Sequence, residues 1–257
     1  MKPLITLKNI SKYFMEDTGH GVSALVDISL EIFSGEIFVF VGPSGSGKST
    51  LLRIMSGLEK DFKGEVIYGE GIALRDFSFV FQQFALLPWL TVAENISIGL
   101  VARNMSAHHI KERVNKELKR FGLEKFGNEH PRELSGGMRQ RVGIARALAT
   151  DPKVIFMDEP FSELDSFTAQ ELREELLRIW HESEGNEEVT KTRTRPTIVM
   201  VTHIVEEALE LADRVAVLTP RPGKIERIVI NNLPRPRQLR SPAFYTLEDE
   251  LYRLIKP

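Results

Sequence analysis

Nine consecutive residues, Gly42-Pro43-Ser44-Gly45-Ser46-Gly47-Lys48-Ser49-Thr50, match G-x-x-x-x-G-K-[ST] at every fixed position. An apolar run, Ile37 to Val41, precedes them, and a helical pattern (Leu51, Leu52, Ile54, Met55) follows. A strand that turns tightly into a helix presents the first backbone N–H groups of that helix, and the glycines let the chain curl closely around an anion. Lys48 adds a point charge for outer phosphates, and the Ser49 hydroxyl can reach a Mg²⁺ bound to them. The stretch reads as a nucleotide phosphate cradle.

Three further apolar runs end in polar groups: Phe79-Val80-Phe81 at Gln82, Val154 to Met157 at Asp158-Glu159, and Ile198 to Val201 at Thr202-His203. Ligands of open parallel sheets sit beyond the carboxyl ends of the strands, so all four endings are expected to converge on one edge. Core packing does not account for Glu159, because an uncompensated carboxylate at the mouth of a buried strand costs several kcal/mol. Phosphoryl transfer assigns the roles. Mg²⁺ takes few protein oxygens plus water, so Ser49 and Asp158, with Gln82 as a third contributor, form a plausible shell. Glu159 is placed to orient or deprotonate the attacking water, and His203 to hold the γ-phosphate or that water.

One motif does not fit a site built from a single chain. Leu134-Ser135-Gly136-Gly137-Met138-Arg139-Gln140-Arg141 opens a helix that continues with Val142, Ala145, Leu148 and Ala149 on one face. Capping explains Ser135 but not two glycines inside a helix, where each costs roughly 1 kcal/mol. A second anion-binding helix terminus in a chain with one cradle is most simply accounted for if it binds the nucleotide of a second copy.

The elements that must position these groups follow from pattern and composition. The 257 residues carry 36 acidic and 34 basic side chains, for a formal net charge of -2, which argues against a basic nucleic-acid binder. There is no cysteine, hence no disulfide and no thiolate metal site. No signal-peptide apolar region forms near Met1, and no uninterrupted apolar run of about 18 residues could span a bilayer, so a cytosolic protein is expected unless a partner holds it at a membrane. Leu4 to Ile10 and Ala24 to Ile32 read as paired strands, joined through Glu16 to Gly21, and Gly64 to Gly69 as an edge strand. Tyr13 and Phe14, ending the first of these, are either core rings or a stacking surface for a base. From Pro88 to Thr150 the pattern is mostly helical, opening on a capping box at Thr91 and Glu94, with an amphipathic helix over Ile110 to Phe121. His108 and His109 lack a third ligand and read as solvated. A helix from Phe167 to Trp180 is followed by a polar stretch, 182–195, with one aliphatic residue, expected to be a mobile excursion. Val215 to Leu218 and Ile225 to Ile230 read as a buried strand and its partner. Ser241 and Pro242 start a terminal helix (about 240–257) with a stripe of Phe244, Leu247, Leu251 and Leu254. The expected fold is α/β: a single domain over 1–257 with a P-loop NTPase core on a mostly parallel sheet, an antiparallel β subdomain, and an inserted α-helical subdomain over about 88–150.

With these residues in place the sequence resembles the ATP-binding subunits of ABC transporters over essentially its whole length. Leu134 to Arg141 is similar to the family's signature motif, and the order of cradle, Gln82, signature, Asp158-Glu159 and His203 agrees with it. The resemblance implies ATP and Mg²⁺ as ligands and a head-to-tail dimer, of two copies or of paired ATPase subunits, in which Ser135, Gly136 and Gly137 face the γ-phosphate held by the other subunit. It further implies that Phe14 is the adenine-stacking aromatic, that Ser162-Glu163-Leu164-Asp165 crosses the dimer, and that Gln82 to Trp89 faces integral membrane permease subunits. The protein would then be peripheral, on the cytoplasmic side of the membrane. Gln82 to Val92, Thr219 to Gly223 and Leu233 to Arg237 resemble the nitrate/sulfonate/taurine branch of importers, which also contains importers of vitamin precursors and implies a solute-binding protein as partner. Three departures stand out: Ile204, where an acidic residue usually follows the histidine, Glu163, where a small residue is common, and the polar excursion. None removes a catalytic group. An importer of a small solute is the first reading, with an exporter subunit or a soluble non-transport ABC ATPase as alternatives.

Overall fold

Alternating apolar residues build the first strands. In β1 (Pro3–Met15) and β2 (Gly21–Phe33), Ile5, Leu7, Ile10, Leu25, Ile28 and Ile32 point inward and are almost completely buried. The structure, a computed structural model, describes residues 2–15, 21–182 and 195–255; the connection 16–20 and nearly all of the expected polar excursion lie outside them. Two compact units result, residues 1–74 with 180–257, and residues 75–179.

The first unit opens with β1 and β2 paired antiparallel. It continues through β3 (Ile37–Val41), helix α1 (Lys48–Met55) and β4 (Lys63–Tyr68), which pairs antiparallel with the other edge of β1. All five residues of β3 are buried, as a continuous apolar run predicts for a strand covered on both faces.

The second unit starts with β5 (Phe77–Val80), which begins two residues before the apolar run Phe79-Val80-Phe81 and ends one residue before it does, because Phe81 already leaves the strand. Helix α2 (Val92–Ala102) begins on the expected capping box: Glu94 N donates to Thr91 Oγ1 (3.2 Å) and Thr91 N to the Glu94 carboxylate (2.8 Å). The bond from the Thr91 N–H holds the Glu94 carboxyl below its ordinary range. In α3 (Ala107–Arg120) Val114 and Leu118 are buried while His108 is exposed beside Glu112. Next come α4 (Gly136–Ala149), β6 (Val154–Asp158), parallel to β5, and α5 (Ser166–Glu182).

The chain returns to the first unit with β7 (Thr197–Thr202), α6 (Val205–Leu211), β8 (Arg214–Leu218), β9 (Ile225–Ile230) and α7 (Pro242–Ile255). There β3 lies between β7 and β8, parallel to both, and β9 runs antiparallel to β8. Ser241 Oγ accepts from Phe244 N (3.2 Å) at the start of α7, whose Phe244 and Leu251 are buried and whose Leu247 and Leu254 are half-buried. The Leu233 to Arg237 segment ties off α6. Arg235 Nη2 donates to Leu211 O (2.6 Å), and Arg237 Nη1 to Leu209 O and Glu210 O (both 2.9 Å), satisfying carbonyls a helix end leaves open. Burial, then the neighbouring Arg235, pushes the Arg237 guanidinium down to about 10. Among the described residues no helix is long and apolar enough to cross a membrane.

Candidate nucleotide site

The cradle forms as its residue types require. Gly47 caps α1 with φ 89° and Gly45 has φ 77°, left-handed backbone that a side chain strains, and Leu51 N donates to Gly47 O (2.9 Å) as the helix begins. Lys48 is buried, its Nζ drawn back over the loop to Gly42 O (2.9 Å) and Pro43 O (3.0 Å). Ser46 Oγ is buried with no hydrogen-bond partner among the described residues. Leaving such a hydroxyl unsatisfied costs about 1–3 kcal/mol, and a phosphate oxygen is an acceptor of the kind it lacks. Tyr13 and Phe14 are 53% and 42% exposed, so neither ring is core.

A second segment buttresses the loop. The main chain of Gly223 exchanges hydrogen bonds with β2, its N–H donating to Ala24 O (2.9 Å) and its carbonyl accepting from Val26 N (3.0 Å). A Cβ at Gly223 would fall 2.0 Å from Ser46 O. Arg221 Nε donates to Gly45 O (3.3 Å). The Thr219 to Gly223 segment, in sequence only a mark of one importer branch, is therefore the wall against which the cradle rests. Because backbone cannot yield to a methyl at that distance, Gly223→Ala is expected to displace the loop, at about 1–3 kcal/mol. ATP affinity in calorimetric titration should fall roughly tenfold; an unchanged affinity would remove the buttress from its role.

His203 follows β7, whose Thr202 stands beside Val41 of β3, so the exposed imidazole and the first cradle glycine emerge at the same end of two paired strands. Ile204 cannot cap α6 as an acidic residue would. Thr202 ties the turn without capping the helix: its Oγ1 accepts from Ile204 N (3.1 Å) and donates to Glu207 Oε2 (2.7 Å), so the turn after His203 stays held.

In the second unit Val80 pairs with Met157, so the segments carrying Gln82 and Asp158-Glu159 leave β5 and β6 at a common end. Asp158 is buried and Glu159 half-buried. Glu159 has φ 44°, a left-handed backbone that costs a non-glycine residue about 1–3 kcal/mol, a strain that clusters at functional positions. Its carbonyl closes the following turn by accepting from Ser162 N (3.3 Å) and Ser162 Oγ (3.0 Å). The loop after Gln82 is strained as well, with Phe84 at φ 51° and Ala85 at 45°. Arg146 of α4 holds both carbonyls, Nη2 to Phe84 O (2.9 Å) and Nη1 to Ala85 O (2.7 Å), and Arg139 lies over the Phe84 ring (5.5 Å).

The signature residues line a cleft of about 440 Å³ together with Glu163 and Asp165. Ser135 Oγ does cap α4, accepting from Met138 N (3.3 Å). Gly137 has a local reason, since a Cβ there would meet Thr168 Cγ2 at 2.5 Å, whereas one at Gly136 would meet nothing within 4 Å among the described residues. Packing thus accounts for one of the two glycines. Asp165 accepts from Thr168 N (3.0 Å) at the start of α5, and that backbone bond first of all holds its carboxyl below the usual range.

The donor chemistry fits a phosphate-bound divalent ion. Among the described residues no group of three or more His, Asp or Glu could hold a metal by itself. Ser49 of the first unit offers a hydroxyl, and Gln82 and Asp158 of the second an amide and a carboxylate oxygen, donor types that Mg²⁺ takes in small number when phosphates and water complete its shell. Missed in sequence were Arg221 and Gly223 as supports of the cradle, Arg146 as the clamp on the loop after Gln82, and Lys12, whose inward place after Ile10 in an alternating strand was its one local sign.

The family model described as ABC transporter matches residues 25–162. The chain is 39% identical over 250 residues to the aliphatic sulfonates import ATP-binding protein SsuB of Bacillus cereus, covering 96% of this chain and 94% of that one. It is 39% identical over 267 residues to the nitrate import ATP-binding protein NrtD of Synechocystis sp., covering 98% and 95%. Among solved structures, a dimeric ATP-binding cassette in a post-hydrolysis state with ADP and Pi superposes with TM-score 0.73 at 36% identity, over 89% of this chain and 99% of that one.

Proposed function

The chain belongs to the ABC transporter family as an ATP-binding, ATP-hydrolysing subunit, and we propose that it energises the import of a small solute such as a sulfonate or nitrate. The observation that carries the import reading is likeness over nearly the full length of both chains to two import ATP-binding proteins of different anionic solutes. In this reading the protein acts as a dimer, docks on permease subunits at the cytoplasmic face of the membrane, and receives solute through a solute-binding protein. The dimeric form of the solved cassette supports the first of these.

Gly42 to Thr50 cradle the phosphates of ATP, Lys48 neutralises the outer ones, and Phe14 stacks on the base. Ser49, Gln82 and Asp158 would hold Mg²⁺, which when bound neutralises charge developing on the phosphate oxygens. Glu159 takes the proton of the attacking water, and His203 holds the γ-phosphate in line with it. Ser135, Gly136 and Gly137, with Asp165, close on the γ-phosphate carried by the other subunit.

The test is capture of the chain from detergent-solubilised membranes, identification of the copurifying membrane and solute-binding proteins, and ATP-driven flux after reconstitution. Inward flux of a small anion coupled to hydrolysis is expected. Outward flux would establish the exporter reading instead, and recovery with ribosomes in the absence of membranes the non-transport one.

A further inference from the structure

Lys12 has no part in the chemistry assigned above, yet its side chain is only 4% exposed. Its Nζ lies 2.9 Å from Asp61 Oδ2 and 3.4 Å from Glu59 Oε1, donates to the Asp61 carbonyl, and stands 4.7 Å from the centroid of the Phe14 ring. Burial works against the ammonium charge, but the hydrogen bonds to Asp61 and Glu59 and their attraction outweigh it, and the pKa lies above the ordinary lysine value. The cation over the ring is therefore permanent at neutral pH.

Two further facts tie Lys12 to the nucleotide site. The pairing of β1 with β2 shifts register between Lys12 and Tyr13, and Phe14 pairs with Val22 just beyond that shift, so Lys12 stands at the irregularity that sets how the ring-bearing end of the strand leaves the sheet. Lys12 also stands opposite Leu25, the side chain that a Cβ at Gly47 would strike at 2.6 Å. One lysine thus joins the α1–β4 connection, the exposed aromatic at the strand end and the strand that abuts the cradle.

We infer that Lys12 is a positioning residue for the purine base: its ammonium, anchored by Glu59 and Asp61, fixes the Phe14 ring and draws its π density inward, so that the ring offers the base a more positive stacking face. A cation held on one face of an aromatic ring attracts that ring's electrons, and stacking with an electron-rich purine strengthens when the facing surface is depleted of them. The inference rests on the reading of Phe14 as the base-stacking residue.

The test compares binding of ATP with that of inorganic triphosphate, which fills the cradle without a base, by calorimetric titration of the full chain. Lys12→Met is expected to weaken ATP binding about three- to tenfold and leave triphosphate binding unchanged. In turnover it should raise KM for ATP with kcat retained. Lys12→Arg, which keeps a cation over the ring, is expected to recover most of the affinity, and in a Phe14→Ala background Lys12→Met should have no further effect. Loss of ATP and triphosphate affinity in equal measure would reduce Lys12 to a structural tie and overturn the inference. So would wild-type ATP binding by Lys12→Met alongside a defective Phe14→Ala; if Phe14→Ala also binds normally, the reading of Phe14 itself fails. Should Lys12→Met not fold, Lys12→Gln keeps a donor for the Asp61 carbonyl without the charge, and wild-type ATP binding by it overturns the inference equally.

Discussion

Glu159→Gln is expected to bind ATP at least as tightly as the parent chain and to turn it over about 10²–10⁴ times more slowly. The substitution preserves shape and hydrogen-bonding reach but removes the one capability assigned to this side chain, acceptance of a proton from water. The backbone at this position is held at φ 44° and braced by the Ser162 turn, so the amide should stand where the carboxylate stood. In the proposed arrangement, removing the Glu159 charge also eases repulsion against the triphosphate in the bound state. ATP-loaded dimers should therefore accumulate. Single-turnover hydrolysis and gel filtration with ATP check the two halves of this expectation, and hydrolysis at the parent rate would take Glu159 out of its role.

Ser135→Arg is expected to abolish turnover while leaving ATP binding to the same chain intact, because the long cation fills the signature cleft, whose lining includes no cradle residue. Lys48→Ala should also be inactive, by losing the charge that meets the phosphates. The decisive measurement mixes the two inactive chains. If each site combines the cradle of one chain with the signature of the other, a mixed dimer has one doubly defective site and one site that is intact. Activity should then return toward half of the parent level, scaled by the fraction of mixed dimers and by how independently the two sites fire. If the signature serves the cradle of its own chain, both sites of every dimer are defective and mixing restores nothing. Since Gly137 already has a packing reason against Thr168 and Ser135 already caps α4, this experiment carries the two-copy site better than the glycine argument did.

The parts of the site legible in sequence are those whose conformation is decided locally. The cradle can be read because glycines at φ 77° and 89° are a demand of the turn itself, and the Thr91–Glu94 capping box because donor and acceptor stand three residues apart. The buried strands β3, β6 and β7 were legible because an unbroken apolar run has few other places to go. The end of β5 was not, since Phe81 is as apolar as its neighbours and only the ladder decides where pairing stops. The rings at the end of β1 were left open between core and base, and their exposure decides against core.

By itself, then, the sequence determined the phosphate-binding chemistry, the order of polar groups at the ends of apolar runs, and the family. Each of these is written in contiguous residues whose types constrain their own backbone. Tertiary structure alone decided what holds those groups in place: Gly223 against Ser46, Arg221 on Gly45, Arg146 on the carbonyls of Phe84 and Ala85, and Lys12 between Asp61 and Phe14. Most of these contacts join residues tens or hundreds of positions apart in the chain. A steric limit or a buried hydrogen bond between distant residues leaves no local pattern, because neither partner's own backbone requires it.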